Sequence, residues 1–469
     1  MKKFRRAISV LIFCSVVFTV AALFVLNSPE GFFNSQSKQK VIKPVPKVTF
    51  AYPSNASAQV MEELINSFNK ENDNKIVVEI QKIADDKYNE TLNMLMASEK
   101  GPDVFFIDSQ WVGTYIKYNW LADLSKSVDA DFLKRFSGNR PQFSKAQNDE
   151  GKLYSIPSGV ITERLLYNKS LFREVGLDPE APPETIEEFI DYSRKIANYS
   201  LSNKKYAFAI PAAEENSGFI EAIEAAGTYS GLYYYDFKEG EYNLSRYSPW
   251  LECILQLKEE NCLLPGMTEL RQSNIITQFM EGNLAMMYAS SSEIGALRTN
   301  PGIEMGIAMP IAYDRQHIGK GAIIIRDTNM YAVNSATKDM AEAINLWKYI
   351  YSEKSIGELY RSCNLIPDMD NIRDNAAYTP ELGIYTQFIP GTADSYYQAT
   401  PEGVDEWSRF KTYSSILNGE RTVQEALQKE TSYLNEQLNS LPLGMYIPQD
   451  KRKITEFDPM NPLKSTLNR

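Results

Sequence analysis

Histidine is nearly absent from this 469-residue chain, with His317 its one imidazole. Cysteine is scarce too: Cys14 sits inside an apolar N-terminal run, leaving Cys253, Cys262 and Cys363. No cysteine, aspartate or glutamate cluster has zinc or calcium spacing, so a metal-handling role finds no ligand set. There is no phosphate loop, dinucleotide fingerprint or Gly-x-Ser-x-Gly elbow, and Gly319-Lys320-Gly321 is too short to serve as one. Positive charge is in deficit, with 49 Lys and Arg against 60 Asp and Glu for a net charge of -11. Lys2, Lys3, Arg5 and Arg6 outweigh the one early acid, Glu30, so the body of the chain is more acidic still. Such a surface repels phosphate backbones and excludes nucleic acid as a partner. If residues 249–260 form one helix, Cys253 and Cys262 lie nearly half a turn out of phase. A disulfide would need that helix to break near Asn261, so free, buried thiols are expected.

What the chain does have begins with a charged leader. Met1 to Arg6 carries four positive charges, and Ala7 to Leu26 is twenty uncharged, mostly apolar residues. That run is long enough to span a bilayer and longer than the roughly 7 to 15 residues of a cleaved signal. No Ala-x-Ala site follows it, and an uncleaved anchor and a cleaved signal both remain open. The charge bias places residue 1 in the cytoplasm and everything after residue 27 outside, so the working part is extracytoplasmic. Residues 28–46 form a polar spacer containing Ser35 to Lys40, Pro44 and Pro46, and are expected to be a flexible tether.

From Lys47 the chain alternates strand and helix. Val48 to Tyr52 is a strand, Val60, Leu64, Ile65 and Phe68 recur at helical spacing, Ile76 to Ile80 is a strand, and Tyr88, Leu92 and Leu95 mark a helix before the strand Val104 to Ile107. This βαβαβ order means a parallel sheet with helices on its faces, and ligands bind beyond the carboxyl ends of such strands. The pattern continues through strands at Leu165 to Tyr167, Ala207 to Ile210, Leu284 to Tyr288, Met305 to Met309, Ala322 to Ile325 and Met330 to Val333. Helices are expected from Asn168 to Gly176, from Thr185, over Trp250 to Leu257, over Ala341 to Tyr351, with Trp407, Phe410 and Leu417 on one face, and from Thr422 to Leu438. Residues 446–469 read as a peripheral tail.

Three blocks give the chain a family likeness. Gly101-Pro102-Asp103-Val104-Phe105-Phe106-Ile107-Asp108 comes first. Gly151-Lys152-Leu153-Tyr154-Ser155-Ile156-Pro157 follows, with Leu165 to Leu177 and Pro182 to Phe189 behind it. Phe279-Met280-Glu281-Gly282-Asn283-Leu284-Ala285-Met286 is the third. Their order and spacing resemble the extracellular solute-binding proteins of ATP-driven (ABC) importers, the group that binds sugars and oligosaccharides. The resemblance implies an α/β, periplasmic-binding-protein-like fold of two discontinuous lobes, residues 46–160 with 312–365 and residues 161–311 with 366–445. A three-strand hinge would cross near Val160, Ile311 and Ile366. It implies a small-molecule ligand, ABC permease subunits as partners, a monomer, no cofactor and no catalysis. Many relatives carry a lipid on a cysteine just after the leader; here Cys14 comes too early, behind Phe13.

Candidate ligand contacts follow from both readings. Asp108, Gln110 and Trp111 follow the third strand at its carboxyl edge, where a carboxylate and an amide can meet hydroxyls and an indole can stack on a sugar face. Asp108 could equally cap a helix. Tyr52, Ser54 and Asn55 occupy the first strand-to-helix loop. By resemblance, Glu163 and Arg164 sit just after the first crossing, as ligand contacts or as a salt bridge stiffening the hinge. Ser290 and Ser291, with Ser292, stand where many relatives have a tryptophan. Tyr229 is expected in a loop with Tyr233, Tyr234 and Tyr235, either a ligand wall or a solvent-facing hairpin. Trp407 matches a stacking tryptophan of some relatives or is helix core, and Asn329 with Gly319 and Gly321 falls in a turn after the second crossing. Two rivals keep the same residues: a glycosidase using Asp108 and Glu163, and an anchored sensor reporting to a receptor or kinase.

Overall fold

The computed structural model describes residues 45–72, 75–136, 151–199, 204–213, 218–299, 302–328, 330–398, 400–401, 403–442 and 448–464. The leader with its apolar run 7–26, most of the tether and Asn329 lie outside the described residues, as does the side chain of Gln110. Among the described residues no helix is long and apolar enough to cross a membrane. Pro46 onward forms one compact unit.

Three four-stranded sheets organise that unit. The first has the order β12 (Tyr331–Val333), β3 (Val104–Phe106), β1 (Lys47–Pro53), β2 (Val77–Ile83). β1 runs parallel to β2 and β3, as the βαβαβ pattern requires, while β12 is antiparallel to β3. The crossover helix α1 (Ala58–Glu71) buries Val60, Leu64, Ile65 and Phe68, the residues whose spacing predicts it. Helix α2 (Tyr88–Ala97) buries Tyr88, Leu92 and Met96, so its apolar stripe ends one residue past Leu95. Helix α3 (Ser109–Lys117) follows β3.

The second sheet has the order β10 (Met305–Ala308), β5 (Glu163–Asn168), β9 (Leu284–Ser290), β6 (Tyr206–Ala209). β9 is parallel to β6 and antiparallel to β5. Asn168 caps α4 (Lys169–Glu174) by accepting from the Leu171 amide at 2.9 Å, and Gly176 ends that turn at φ 78°. Helices α5 (Ile186–Tyr199), α6 (Phe219–Tyr229), α7 (Ser248–Glu259) and α8 (Gln272–Met280) surround the sheet. The third sheet joins segments far apart in sequence: β13 (Ile366–Pro367), β4 (Gly159–Ile161), β11 (Ile323–Thr328) and β14 (Asp394–Tyr396).

Three sequence expectations meet different surroundings, while the free, buried thiols hold. The chain does turn at Asn261, with φ 57°, yet Cys253 and Cys262 stay free and buried, as does Cys363. Tyr229 is the last residue of α6, not part of a loop; the loop begins at Ser230. Tyr233, Tyr234 and Tyr235 are buried, which removes the solvent-facing hairpin. The C-terminal segment is not peripheral: Ile454 and Phe457 are buried, the Phe457 ring stacks on Phe237 at 4.5 Å, and the Pro459 carbonyl accepts from Tyr233 Oη at 3.0 Å. An apolar pair hidden in a proline-rich, charged stretch has no periodicity to reveal it. Gly321 is needed where the β11 approach meets α6, since a Cβ there would sit 1.8 Å from the Thr228 carbonyl oxygen.

Candidate functional site

Strand direction fixes where the site residues gather. The parallel strands β1, β2 and β3 all end at one edge, which delivers Ser54 and Asn55, then Asp85 and Asp86, then Asp108. In the second sheet β9 ends at Ser290, and the antiparallel β5 begins opposite it, at Glu163. The helical turn after β2 and the start of α8 are joined by an ion pair, Arg271 Nη1 to Asp86 Oδ2 at 3.1 Å. That pair links an element of the first sheet to one that leads into the second.

At the first edge, Asp108 occupies the cap position of α3 without capping it. Its carboxylate instead accepts from Asn89 Nδ2 at 2.9 Å, a residue of α2. Burial pushes the Asp108 carboxyl above its ordinary range, and the Asn89 amide only partly offsets that. Trp111 packs on the core beside Phe105 and Tyr115, and its buried indole Nε1 has no hydrogen-bond partner among the described residues. Asn55 forms a turn with Ser57, accepting from its amide and hydroxyl at 3.1 and 2.7 Å. Ser54 is exposed, and Tyr52 is buried with its hydroxyl donating to the Ala58 carbonyl at 3.2 Å.

At the second edge a group assembles from four elements. Arg326 on β11 donates through Nη2 to Glu163 Oε1 at 2.6 Å and through Nη1 to Glu221 of α6. Glu293, just past β9, accepts from the Ser290 amide at 2.9 Å and from Gln272 Nε2 at 3.1 Å. Burial pushes Glu163 up to about 8, with Arg326 pulling the other way and the charges of Glu293 and Glu221 adding to the rise. Burial likewise pushes Glu293 up to about 7. Near neutral pH such carboxyls can donate as well as accept, which suits hydroxyl groups. The glutamates do not form a metal-binding group among the described residues. Ser290 Oγ lies 2.6 Å from Ser292 Oγ, while Ser291 is tied to Thr162, its amide donating to the Thr162 carbonyl at 2.9 Å.

Glu163 and Arg164 do not pair as side chains. Arg164 points away, onto Asp394 of β14, with two hydrogen bonds of 2.9 Å. Successive strand residues face opposite sides, so one reaches Arg326 and the other Asp394. Trp407 is 51% exposed at the start of α10 (Ser408–Leu417), not in a core. Behind it Arg409 stacks 3.6 Å from the Tyr234 ring centroid, and the hydroxyls of Tyr234 and Tyr242 donate to Glu406 at 2.9 and 2.7 Å. Tyr413 Oη donates to Glu224 at 3.0 Å, and burial pushes that carboxyl up to about 7.

The structure therefore brings Glu163 and Ser290 together, with Ser291 alongside, and sets Asp108 with Trp111 on the other edge. Sequence reasoning missed Arg326, Glu221, Glu293 and Asn89. Two signals were present: Arg326 directly follows the apolar run Ile323-Ile324-Ile325 within one strand, and Glu221 interrupts the apolar α6. A cavity of about 270 Å³ lies elsewhere, at the far end of β5, lined by Asn168, Lys205 and Gly282 among others. It contains none of these residues.

The family model described as bacterial extracellular solute-binding protein matches residues 63–383. The galactooligosaccharide-binding protein of Bacillus subtilis is 25% identical over 372 residues, 78% of this chain and 82% of that protein. The GacH receptor of Streptomyces glaucescens, solved unliganded and with acarbose, superposes with a TM-score of 0.70 at 18% identity, covering 85% of this chain and 100% of the receptor chain. The maltose/maltodextrin-binding domain from Bdellovibrio bacteriovorus, solved with maltotriose, gives a TM-score of 0.67 at 20% identity, covering 84% and 100%. At these identities the structural likeness speaks for the fold, a mixed α/β arrangement of sheets and helices.

Proposed function

The chain belongs to the bacterial extracellular solute-binding protein family, and we propose that it captures a sugar or oligosaccharide in a cleft between two lobes and delivers it to an ABC permease. The lobes are residues 46–160 with 312–365 and residues 161–311 with 366–445, hinged through the third sheet. Pairing of β4 with β13 at Val160↔Ile366 and of β11 with β14 at Ile323↔Asp394 supports that hinge, since each joins a segment assigned to one lobe to a segment assigned to the other. Closure about such a hinge reports occupancy to the transporter. Residues 7–26, cleaved or retained, put the protein at the outer face of the cytoplasmic membrane.

The observation that carries this reading is the Glu163–Arg326–Glu221 group with Glu293 and Ser290 at one strand edge. It sets hydrogen-bonding groups where α/β folds bind their ligands. Asp108 and Trp111 form the opposing wall, and the exposed Trp407 supplies a stacking face. Relatives that bind galactooligosaccharide or maltotriose support the ligand class. No catalytic step is assigned to Asp108 or Glu163, because family members bind and release their solute.

A thermal-shift screen against mono- and oligosaccharides, polyols, amino acids and polyamines tests this. A ligand at a hundred times its dissociation constant stabilises the fold by about 2.7 kcal/mol. A saturable shift with one sugar class is expected. Release of sugar from a chromogenic glycoside, lost in Glu163→Gln, would overturn the binding-protein reading.

A further inference from the structure

Arg326 is held by its partners without being enclosed by them. Nη1 and Nη2 reach Glu221 and Glu163, which come from two separate elements, while 37% of the Arg326 side chain remains exposed against 13% for Glu163. A guanidinium has five N–H groups in a rigid fork, and among the described residues these two partners engage only Nη1 and Nη2. Its charge is already matched by the acidic side chains around it. Glu163, Glu221 and Glu293 face a single guanidinium, and Glu293 itself is held by the Ser290 amide and Gln272. The other arginine nearby, Arg164, is spent on Asp394. An incoming anion would find a donor edge but no net positive charge, whereas a hydroxyl oxygen needs only the donors.

We propose that Arg326 is a specificity-determining ligand contact: the free edge of its guanidinium donates hydrogen bonds to hydroxyl oxygens of an uncharged sugar. The carboxylates that orient it make the same site reject phosphorylated or carboxylated sugars. This rests on the sugar-binding reading given above. Lysine cannot reproduce the contact, because one ammonium lacks the planar fork that spans two carboxylates and still offers donors outward.

Titration calorimetry of the full chain with maltotriose, raffinose and a galactotriose, and with the 6-phosphate of whichever binds best, tests it. The phosphate is expected to bind at least about tenfold more weakly than the neutral sugar, and Arg326→Lys to weaken neutral-sugar binding by about tenfold or more. Should Arg326→Lys fail to fold, Glu221→Gln supplies the second readout: removing one negative charge should narrow the ratio between neutral and phosphorylated affinities. If no neutral sugar binds the folded wild type, the reading of the site falls and this inference with it. If neutral sugars bind but the phosphate binds equally well, or a folded Arg326→Lys matches the wild type, only the role of Arg326 is overturned. An unchanged ratio in Glu221→Gln overturns it as well.

Discussion

Arg164 on β5 grips Asp394 on β14 with two parallel hydrogen bonds of 2.9 Å, and the two side chains are only 2% and 1% exposed. The pair ties the second sheet to the third. Breaking one half of a buried pair strands the other charge, so Asp394→Ala should destabilise the fold by about 3–5 kcal/mol in urea denaturation. Replacing both residues with apolar ones, as in Arg164→Met with Asp394→Leu, should restore much of that loss. A cost below about 1 kcal/mol for Asp394→Ala would show that the pair does not hold the sheets together.

Glu163 makes stability depend on pH. Its native carboxyl is pushed up to about 8 from an ordinary value near 4.5, so between those values the folded state holds more protons than the unfolded one. The contribution is fully present below pH 4.5 and is lost as pH rises through 8. Melting curves of wild type and Glu163→Gln should therefore diverge across that window, with the variant gaining relative to wild type as pH rises. Parallel curves would place the proton elsewhere.

Trp407 separates binding from folding. At 51% exposure it contributes little to the core, so Trp407→Ala should leave the unfolding free energy within about 0.5 kcal/mol of wild type. Sugar affinity should fall by about three- to tenfold if the indole stacks on the ligand. Calorimetry and denaturation on the same sample would distinguish the two effects.

Phe457 tests whether the C-terminal segment belongs to the fold. It is buried against Phe237 and Tyr233. Phe457→Ala should cost about 3–5 kcal/mol by cavity formation. A variant as stable as wild type would make the segment a peripheral tail after all.

Much of the fold was legible because it rests on local signals. Val60, Leu64, Ile65 and Phe68 share one face of α1, Asn168 caps α4, and Thr422 caps α11 (Val423–Asn439) by accepting from the Glu425 amide. Short apolar strands between such helices gave the parallel first sheet. The site was legible only in part. Glu163 and Ser290 are cross-strand neighbours in an antiparallel register that no spacing in the sequence announces. Arg326 and Glu221 lie 105 residues apart, and only the pairing of β11 with β4 brings Arg326 to Glu163. Asp108 stood where expected, but the partner that holds it, Asn89, comes from a different helix. Glu163 and Arg164 stand side by side in sequence, which suggests a shared salt bridge as readily as two ligand contacts, whereas the strand turns them to opposite faces, onto Arg326 and Asp394.

Small-angle scattering of the protein with and without a saturating sugar tests the central claim most directly. Capture between two hinged lobes predicts a smaller radius of gyration on binding, saturating at one sugar per chain. A radius that stays constant while calorimetry shows full occupancy would contradict closure around the ligand.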